Sequence, residues 1–222
     1  LEFKNNVKFD YDLKKKNWFN IGGNTKIYFK ASNLKELINF LKRIENKEKI
    51  FILGGGSNTL ITDKTYNGVV IKLTNNFNNL SLLSDDIIIA GSAATDKSLS
   101  EFAMNNCLGG FEFLSCIPGT VGGGIKMNAG CFGMEFKDIL ISIQAINKLG
   151  QIITIPAKDI NFKYRESGLS NDLIFLSASF KGYKKNSDLI KNEMIEFKKK
   201  KENAQPTRIK TSGSTFKNPV SQ

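Results

Sequence analysis

Histidine is missing from all 222 residues of this chain. That removes the commonest general base at neutral pH and the commonest metal ligand. Any chemistry has to come from Ser, Tyr, Lys, Arg, Asp, Glu or a bound cofactor. Cysteine is scarce as well: Cys107, Cys116 and Cys131 are an odd, scattered set without a CxxC pair. That usage fits a reducing cytoplasm and argues against a disulfide framework or a zinc site, so no metal site is expected. No apolar run is long enough for a membrane helix. The stretch Leu1-Glu2-Phe3-Lys4-Asn5 lacks the apolar region of a signal peptide, and the first residue is not Met. A cytoplasmic protein with no membrane partner is the expectation. No internal repeat is visible.

What is present is enough for a real core, because 41% of the residues are apolar. The chain can form one large domain or two small ones. A net charge of +11 attracts polyanions, either nucleic acid or phosphorylated small molecules. Much of the excess lies in Lys14-Lys15-Lys16 and Lys198-Lys199-Lys200-Lys201. No aromatic residue interleaves the second run, as base stacking would favour. Solvated helix faces explain these runs better than a nucleic-acid site does, and no nucleic-acid partner is expected.

The pattern is mixed α and β, with more strand than helix. Residues 27–31 read as a strand. Asn33 offers an N-cap with Glu36 three residues on, and Leu34, Leu37, Ile38, Leu41 and Ile44 keep helical spacing to about Glu45. Residues 49–53 and 69–73 are strands around a glycine loop. Residues 74–86 read as a turn-laden connection. A strand over 86–90 precedes a helix capped by Thr95 or Asp96 and running through Cys107, with Leu108-Gly109-Gly110 as its glycine stop. A short helix is expected from about Ile125. Segments 139–147 and 151–155 form a hairpin around Lys148-Leu149-Gly150. A strand covers 173–180, and an amphipathic helix runs from Asn186 to about Glu202 with Ile190, Met194 and Phe197 on one face.

Two glycine-rich stretches stand out: Gly54-Gly55-Gly56-Ser57-Asn58 and Ile117-Pro118-Gly119-Thr120-Val121-Gly122-Gly123-Gly124. Glycine permits φ > 0 and close approach of the main chain to a ligand. Successive free N–H groups in such loops form nests for phosphate or another anion. The first stretch is not a Walker loop, since GxxxxGK[ST] is absent, and it leads into a β-like segment rather than the helix of a Rossmann fingerprint. One such loop alone reads equally well as a tight inter-strand turn. Two of them favour a large phosphorylated ligand. Taken singly, Arg165 in Tyr164-Arg165-Glu166-Ser167 reads as an ion-pair residue, and Ser214 as a turn serine.

Six motifs occur in order: Ile21-Gly22-Gly23-Asn24, Leu53-Gly54-Gly55-Gly56-Ser57-Asn58, Ile117-Pro118-Gly119-Thr120-Val121-Gly122-Gly123, Met127-Asn128-Ala129-Gly130, Tyr164-Arg165-Glu166-Ser167 and Gly213-Ser214-Thr215-Phe216-Lys217-Asn218-Pro219. The ordered set resembles the UDP-N-acetylenolpyruvoylglucosamine reductase family, flavin enzymes of peptidoglycan synthesis, from about Asn17 to the last residue. The resemblance implies an α+β fold of the vanillyl-alcohol-oxidase (PCMH) type. Two subdomains, residues 1–75 and 76–183, would hold FAD, and residues 184–222 would begin a substrate-binding domain.

By the same resemblance, Gly54, Gly55, Gly56, Ser57, Asn58 and Thr59 would cradle the FAD pyrophosphate. Ile117, Pro118, Gly119, Thr120, Val121, Gly122 and Gly123, with Met127, Asn128, Ala129 and Gly130, would run beside pyrophosphate and flavin ring. NADPH would be the hydride donor and UDP-N-acetylglucosamine enolpyruvate the substrate. Ser214 would donate a proton, Arg165 would stabilise the developing enolate, and Tyr164, Lys217 and Asn218 would touch substrate. A monomer is expected. Asn17 stands where the family usually has Thr, and Cys131 where it often has a small residue or Ser. The family continues past the last motif to a catalytic glutamate that these 222 residues do not include. Two other readings stay open: an FAD or UDP-sugar binding module without turnover, and another oxidoreductase of this fold, whose covalent flavin would need Cys116 or Cys131.

Overall fold

The computed structural model describes residues 3, 5–44 and 47–205. Its strands are β1 (Val7–Asp12), β2 (Asn24–Ala31), β3 (Ile50–Ile52), β4 (Tyr66–Leu73), β5 (Leu80–Leu82), β6 (Ile87–Gly91), β7 (Leu108–Gly109), β8 (Gly130–Cys131), β9 (Met134–Glu135), β10 (Leu140–Ile146), β11 (Ile152–Pro156), β12 (Ile174–Lys181) and β13 (Tyr183–Lys184). The helices are α1 (Leu34–Ile44), α2 (Asp96–Asn105), α3 (Val121–Lys126), α4 (Phe136–Ile139) and α5 (Ser187–Ala204).

A first sheet has the order β1-β2-β4-β3. Strands β2, β4 and β3 run parallel, and α1 supplies a crossover. Strand β1 adds antiparallel to the edge of β2. Phe29, Leu37, Phe40, Leu41, Val69 and Ile71 are buried between this sheet and α1. The spacing of the apolar positions in α1 explains its seat, because only one face of the helix needs cover. Asn33 Oδ1 accepts from the Glu36 N–H at 3.0 Å, as an N-cap should. The capping box does not close, however. The Glu36 carboxylate reaches the N–H of Ser32, at 3.1 Å, instead of that of Asn33.

The second sheet is antiparallel, in the order β11-β10-β12-β6-β5. The expected hairpin is β10–β11, with Gly150 at φ +80° in its turn. Helices α2 and α3 cover this sheet, burying Leu99, Ala103, Val121, Ile125, Phe136, Ile143 and Phe180. Ile146, Ile174 and Leu176 reach from this sheet into the first core, so the two sheets share an apolar boundary.

Two expectations need correction here. Helix α2 does not stop on a glycine. Its left-handed residue is Cys107, φ +55°, whose N–H bonds to Met104 O at 3.0 Å. Leu108 and Gly109 instead pair with β13. The connection over 74–86 also contains β5, which its Asn and Ser content disguised.

Helix α5 closes one end. Ile190 is buried, and Phe197 packs on the second core and stacks on Phe132 at 4.7 Å. Its entry is fixed by Lys185, whose ammonium bridges Glu112 at 2.9 Å and Glu193 at 2.6 Å. Glu112 is itself buried and accepts the Gly110 N–H at 2.7 Å. That pairing satisfies a charge that would otherwise be costly to bury. No described helix is long and apolar enough to cross a membrane.

Candidate functional site

Strand β3 feeds the first glycine loop directly. Leu53 still donates to Ile71 O at 2.9 Å, and then the pairing ends. Among the described residues, none of the backbone N–H groups of 54–59 donates to a backbone carbonyl. The carbonyls, by contrast, are held. Gly54 O accepts the Lys72 ammonium, and Gly56 O accepts the Trp18 N–H at 3.0 Å. In a trans peptide the C=O and the following N–H point in opposite directions. The N–H groups of Gly55 and Ser57 are therefore turned away from Lys72 and Trp18. This is the run of free donors that makes an anion nest. Gly56 is obligatory: its φ is +70°, and a Cβ there would stand 2.3 Å from Lys16 O.

The second glycine stretch meets the first. A Cβ on Gly55 would lie 3.4 Å from Gly119 Cα, and one on Gly54 would lie 2.8 Å from Thr120 Oγ1. Ser57 Oγ donates to Pro118 O at 2.5 Å and fastens the two. Beyond Thr120, the stretch is not an open loop. Helix α3 begins at Val121, earlier than the sequence suggested, and takes in Gly122, Gly123 and Gly124.

These glycines divide by role. A Cβ on Gly124 would stand 2.2 Å from a ring carbon of Phe136, and one on Gly122 would stand 3.0 Å from Ser92 Cβ. Both are packing glycines. The Gly122 N–H goes to Ser92 O at 2.9 Å. Val121 is fully buried and its N–H goes to Ala94 O at 2.9 Å. Neither Val121 nor Gly122 has a backbone donor left for a ligand. Gly119, Thr120 and Gly123 keep backbone N–H groups without a backbone acceptor among the described residues. Ile117 and Pro118 are half-buried at the seam between the two stretches.

The split is testable. Gly124→Ala should cost about 1–3 kcal/mol of stability through overpacking against Phe136. Gly123→Ala has room, since the nearest atom to its Cβ would be Thr120 Oγ1 at 3.5 Å. It should leave the unfolding midpoint nearly unchanged while weakening the bound ligand. Equal loss of stability in both variants would sink the division.

Arg165 reaches the site from a distant stretch of chain. It sits in a turn bridged by Lys163 and Glu166, with φ +58°. Its guanidinium donates to Gly130 O at 3.0 Å and to Asn128 O at 3.5 Å, and lies 3.5 Å from a Glu135 oxygen. The Tyr164 ring is 4.7 Å from it. Asn128 is fully buried. Its amide serves Glu135 at 2.9 Å and Lys163 O at 3.1 Å, and its oxygen accepts the Lys137 N–H at 3.1 Å. It is a strut between Arg165 and α3, and its side chain has no group left for a cofactor. Met127 and Ala129 likewise return their N–H groups to Gly123 O and Gly124 O. Asn58 is exposed and Thr59 half-buried beyond the first loop.

Cys131 donates to Phe113 O at 3.2 Å, and burial, with Cys116 beside it, pushes its thiol up to about 12. Such a thiol is a poor nucleophile for covalent flavin attachment. Ser214, Lys217 and Asn218 lie outside the described residues. Asn17 fills the Thr place, donating to Ile21 O at 2.7 Å and, at longer range, to Leu13 O and Lys14 O, and accepting the Phe19 N–H at 3.0 Å.

Several residues of the site were not found by motif. Lys72 carried one signal, a charge inside the apolar run of β4. Asp96 lies against Gly119, with both carboxylate oxygens buried and without a partner among the described residues. Ser92 Oγ, under Gly122, is in the same state. In the sequence Asp96 read as a possible helix cap, and Ser92 carried no signal.

The facing glycine stretches, the free donors and the Cβ-free approach all fit a dinucleotide. Residues 25–156 match the FAD binding domain family. The chain is 66% identical over 221 residues to the UDP-N-acetylenolpyruvoylglucosamine reductase of Pelagibacter ubique, covering 100% of this chain and 73% of that one. It is 45% identical over 217 residues to the reductase of the same name from Rickettsia typhi, covering 98% of this chain and 73% of the relative. The crystal structure of UDP-N-acetylenolpyruvylglucosamine reductase from Thermus caldophilus superposes with a TM-score of 0.83 at 27% identity, over 96% of this chain and 74% of that one. The fold is the expected α+β, PCMH-type FAD-binding fold. The chain belongs to the UDP-N-acetylenolpyruvoylglucosamine reductase family.

Proposed function

We propose that the chain catalyses the FAD-dependent, NADPH-driven reduction of UDP-N-acetylglucosamine enolpyruvate to UDP-N-acetylmuramate, a step in making the bacterial cell wall. The observation that carries this reading is the nest of free N–H groups over 54–59, in contact with Gly119 and Thr120. FAD held by residues 54–59 and 119–123 would supply the hydride chemistry between NADPH and the vinyl carbon of the substrate.

The protein's own part is position and charge. Residues 54–59 hold the pyrophosphate by backbone donors, and Gly119, Thr120 and Gly123 add theirs. Arg165 is pinned to Gly130 O and Asn128 O, so its charge is fixed in place before the reaction begins. A preorganised cation aimed at the enolate stabilises charge that forms only in the transition state, often the largest catalytic term. Tyr164, in contact with Arg165, lines the same approach. Ser214 is the assigned proton donor, with Lys217 and Asn218 beside it in sequence as substrate contacts. A serine is a weak acid and needs close placement and a supported alkoxide. The division into subdomains 1–75 and 76–183, with a substrate domain from 184, a monomeric state and a cytoplasmic location belong to the same proposal.

The test is direct. The purified protein should be yellow, with a flavin spectrum that NADPH bleaches, and continuous turnover of NADPH should require enolpyruvyl-UDP-N-acetylglucosamine and a full-length chain that carries the family's glutamate. A colourless protein that takes up no added FAD would overturn the reading.

A further inference from the structure

Two cations flank the first glycine loop, and among the described residues neither has a carboxylate counter-ion. Lys72 lies at the end of β4, half-buried beside Leu53. Its ammonium donates to Gly54 O. Lys16 belongs to the basic run 14–16, which forms one turn of 3-10 helix. The carbonyl of Lys16 abuts Gly56, and the N–H of Trp18 bonds to Gly56 O. The Lys16 end of the run is therefore packed against the loop, while Lys14 and Lys15 stay exposed. Among the described residues, no carboxylate forms an ion pair with Lys16 or Lys72. Burial first, and the nearby Lys16 charge second, lower the Lys72 pKa. A half-buried ammonium next to a like charge is held at a cost, and a bound anion would remove that cost.

We propose that Lys72 is the positioning residue that sets the first glycine loop for a pyrophosphate, and that Lys16 adds to its charge. By drawing the Gly54 carbonyl to itself, Lys72 turns the Gly55 N–H the other way, away from its own side chain. It thereby orients a donor and brings a positive charge behind the nest. This inference rests on the reading that the loop binds FAD.

Flavin fluorescence titrations test it, using FAD and riboflavin, which has the ring but no phosphate, at several salt concentrations. Lys72→Met should weaken FAD by about tenfold or more, the scale of one charge-assisted hydrogen bond, and flatten the salt dependence. Riboflavin affinity should stay within about twofold, because its binding uses no phosphate contact. Lys72→Arg should keep most of the FAD affinity. Lys16→Gln, which touches no backbone bond of the loop, should weaken FAD by about threefold, with riboflavin unchanged. Equal weakening of FAD and riboflavin by Lys72→Met would make its role purely structural and overturn the proposal. So would unchanged FAD binding in both Lys72→Met and Lys16→Gln. A wild-type protein that binds no FAD would overturn the FAD reading as well, which separates the two failures.

Discussion

Arg165→Gly should cut the rate of sugar-nucleotide reduction by about 10²–10³, the usual effect of deleting one preorganised donor. It should do so without unfolding the protein. Arg165 occupies the left-handed region at φ +58°, in a turn where glycine would sit at no cost. Holding a long side chain there costs about 1–3 kcal/mol. Glycine relieves that strain but loses the bonds to Gly130 O and Asn128 O, so the two changes offset and the melting temperature should move by only a few degrees. FAD content and flavin reduction by NADPH should persist, because neither needs a cation at the enolate. Arg165→Ala keeps the strain and loses the bonds, so it should be the less stable of the pair and equally slow. If FAD content, stability and both half-reactions fell together in Arg165→Gly, the residue would be a scaffold and its catalytic role would fail.

The role proposed for Arg165 follows from motif order, but how the side chain is held does not. The Tyr164-Arg165-Glu166-Ser167 motif and the Met127-Asn128-Ala129-Gly130 motif are far apart in sequence. Only the fold shows that Asn128 links them, through Lys163 O on one side and Glu135 on the other. Elements with a strong apolar period, such as α1 and the β10–β11 hairpin, were legible because burial of one face dictates local structure. Strand β1 was missed because every other signal is weak. Its sequence, VKFDYD, carries charges along an edge that is largely exposed. Helix α3 was placed late because three consecutive glycines argue against a helix by propensity. Packing decided otherwise: only glycine lets α3 approach Phe136 and Ser92 this closely. The same glycines that looked like one ligand loop thus serve two purposes, and no local pattern separates them. Lys16 was assigned to a solvated face for a similar reason, since its neighbour in space, Gly56, is remote in sequence.

Replacing Asp96 with a neutral residue should improve stability. Asp96 is the first residue of α2, where the helix dipole favours a carboxylate by about 0.3–1 kcal/mol. Burial acts in the opposite direction and is larger. The side chain is fully buried, both oxygens lack a partner among the described residues, and desolvation raises the carboxyl to about 8. An unfolded chain releases this proton near pH 4. Between about pH 4 and 8 the folded state thus binds the extra proton, and stability falls as pH rises through that window. Asp96→Asn, which cannot ionise, should therefore gain on the wild type as pH rises. Between pH 5 and 8 the gain should grow by on the order of 3 kcal/mol, then level off above the folded pKa. Denaturant midpoints taken from pH 5 to 9 would show it, and a difference that stays flat with pH would mean the carboxyl is not held neutral. The position explains why such a cost is tolerated. Asp96 lies against Gly119, in the rim assigned to the pyrophosphate, and its neutral form places no negative charge under that rim. Raising the pH above 8 should ionise it and weaken FAD in the wild type, while Asp96→Asn should hold its affinity over the same range.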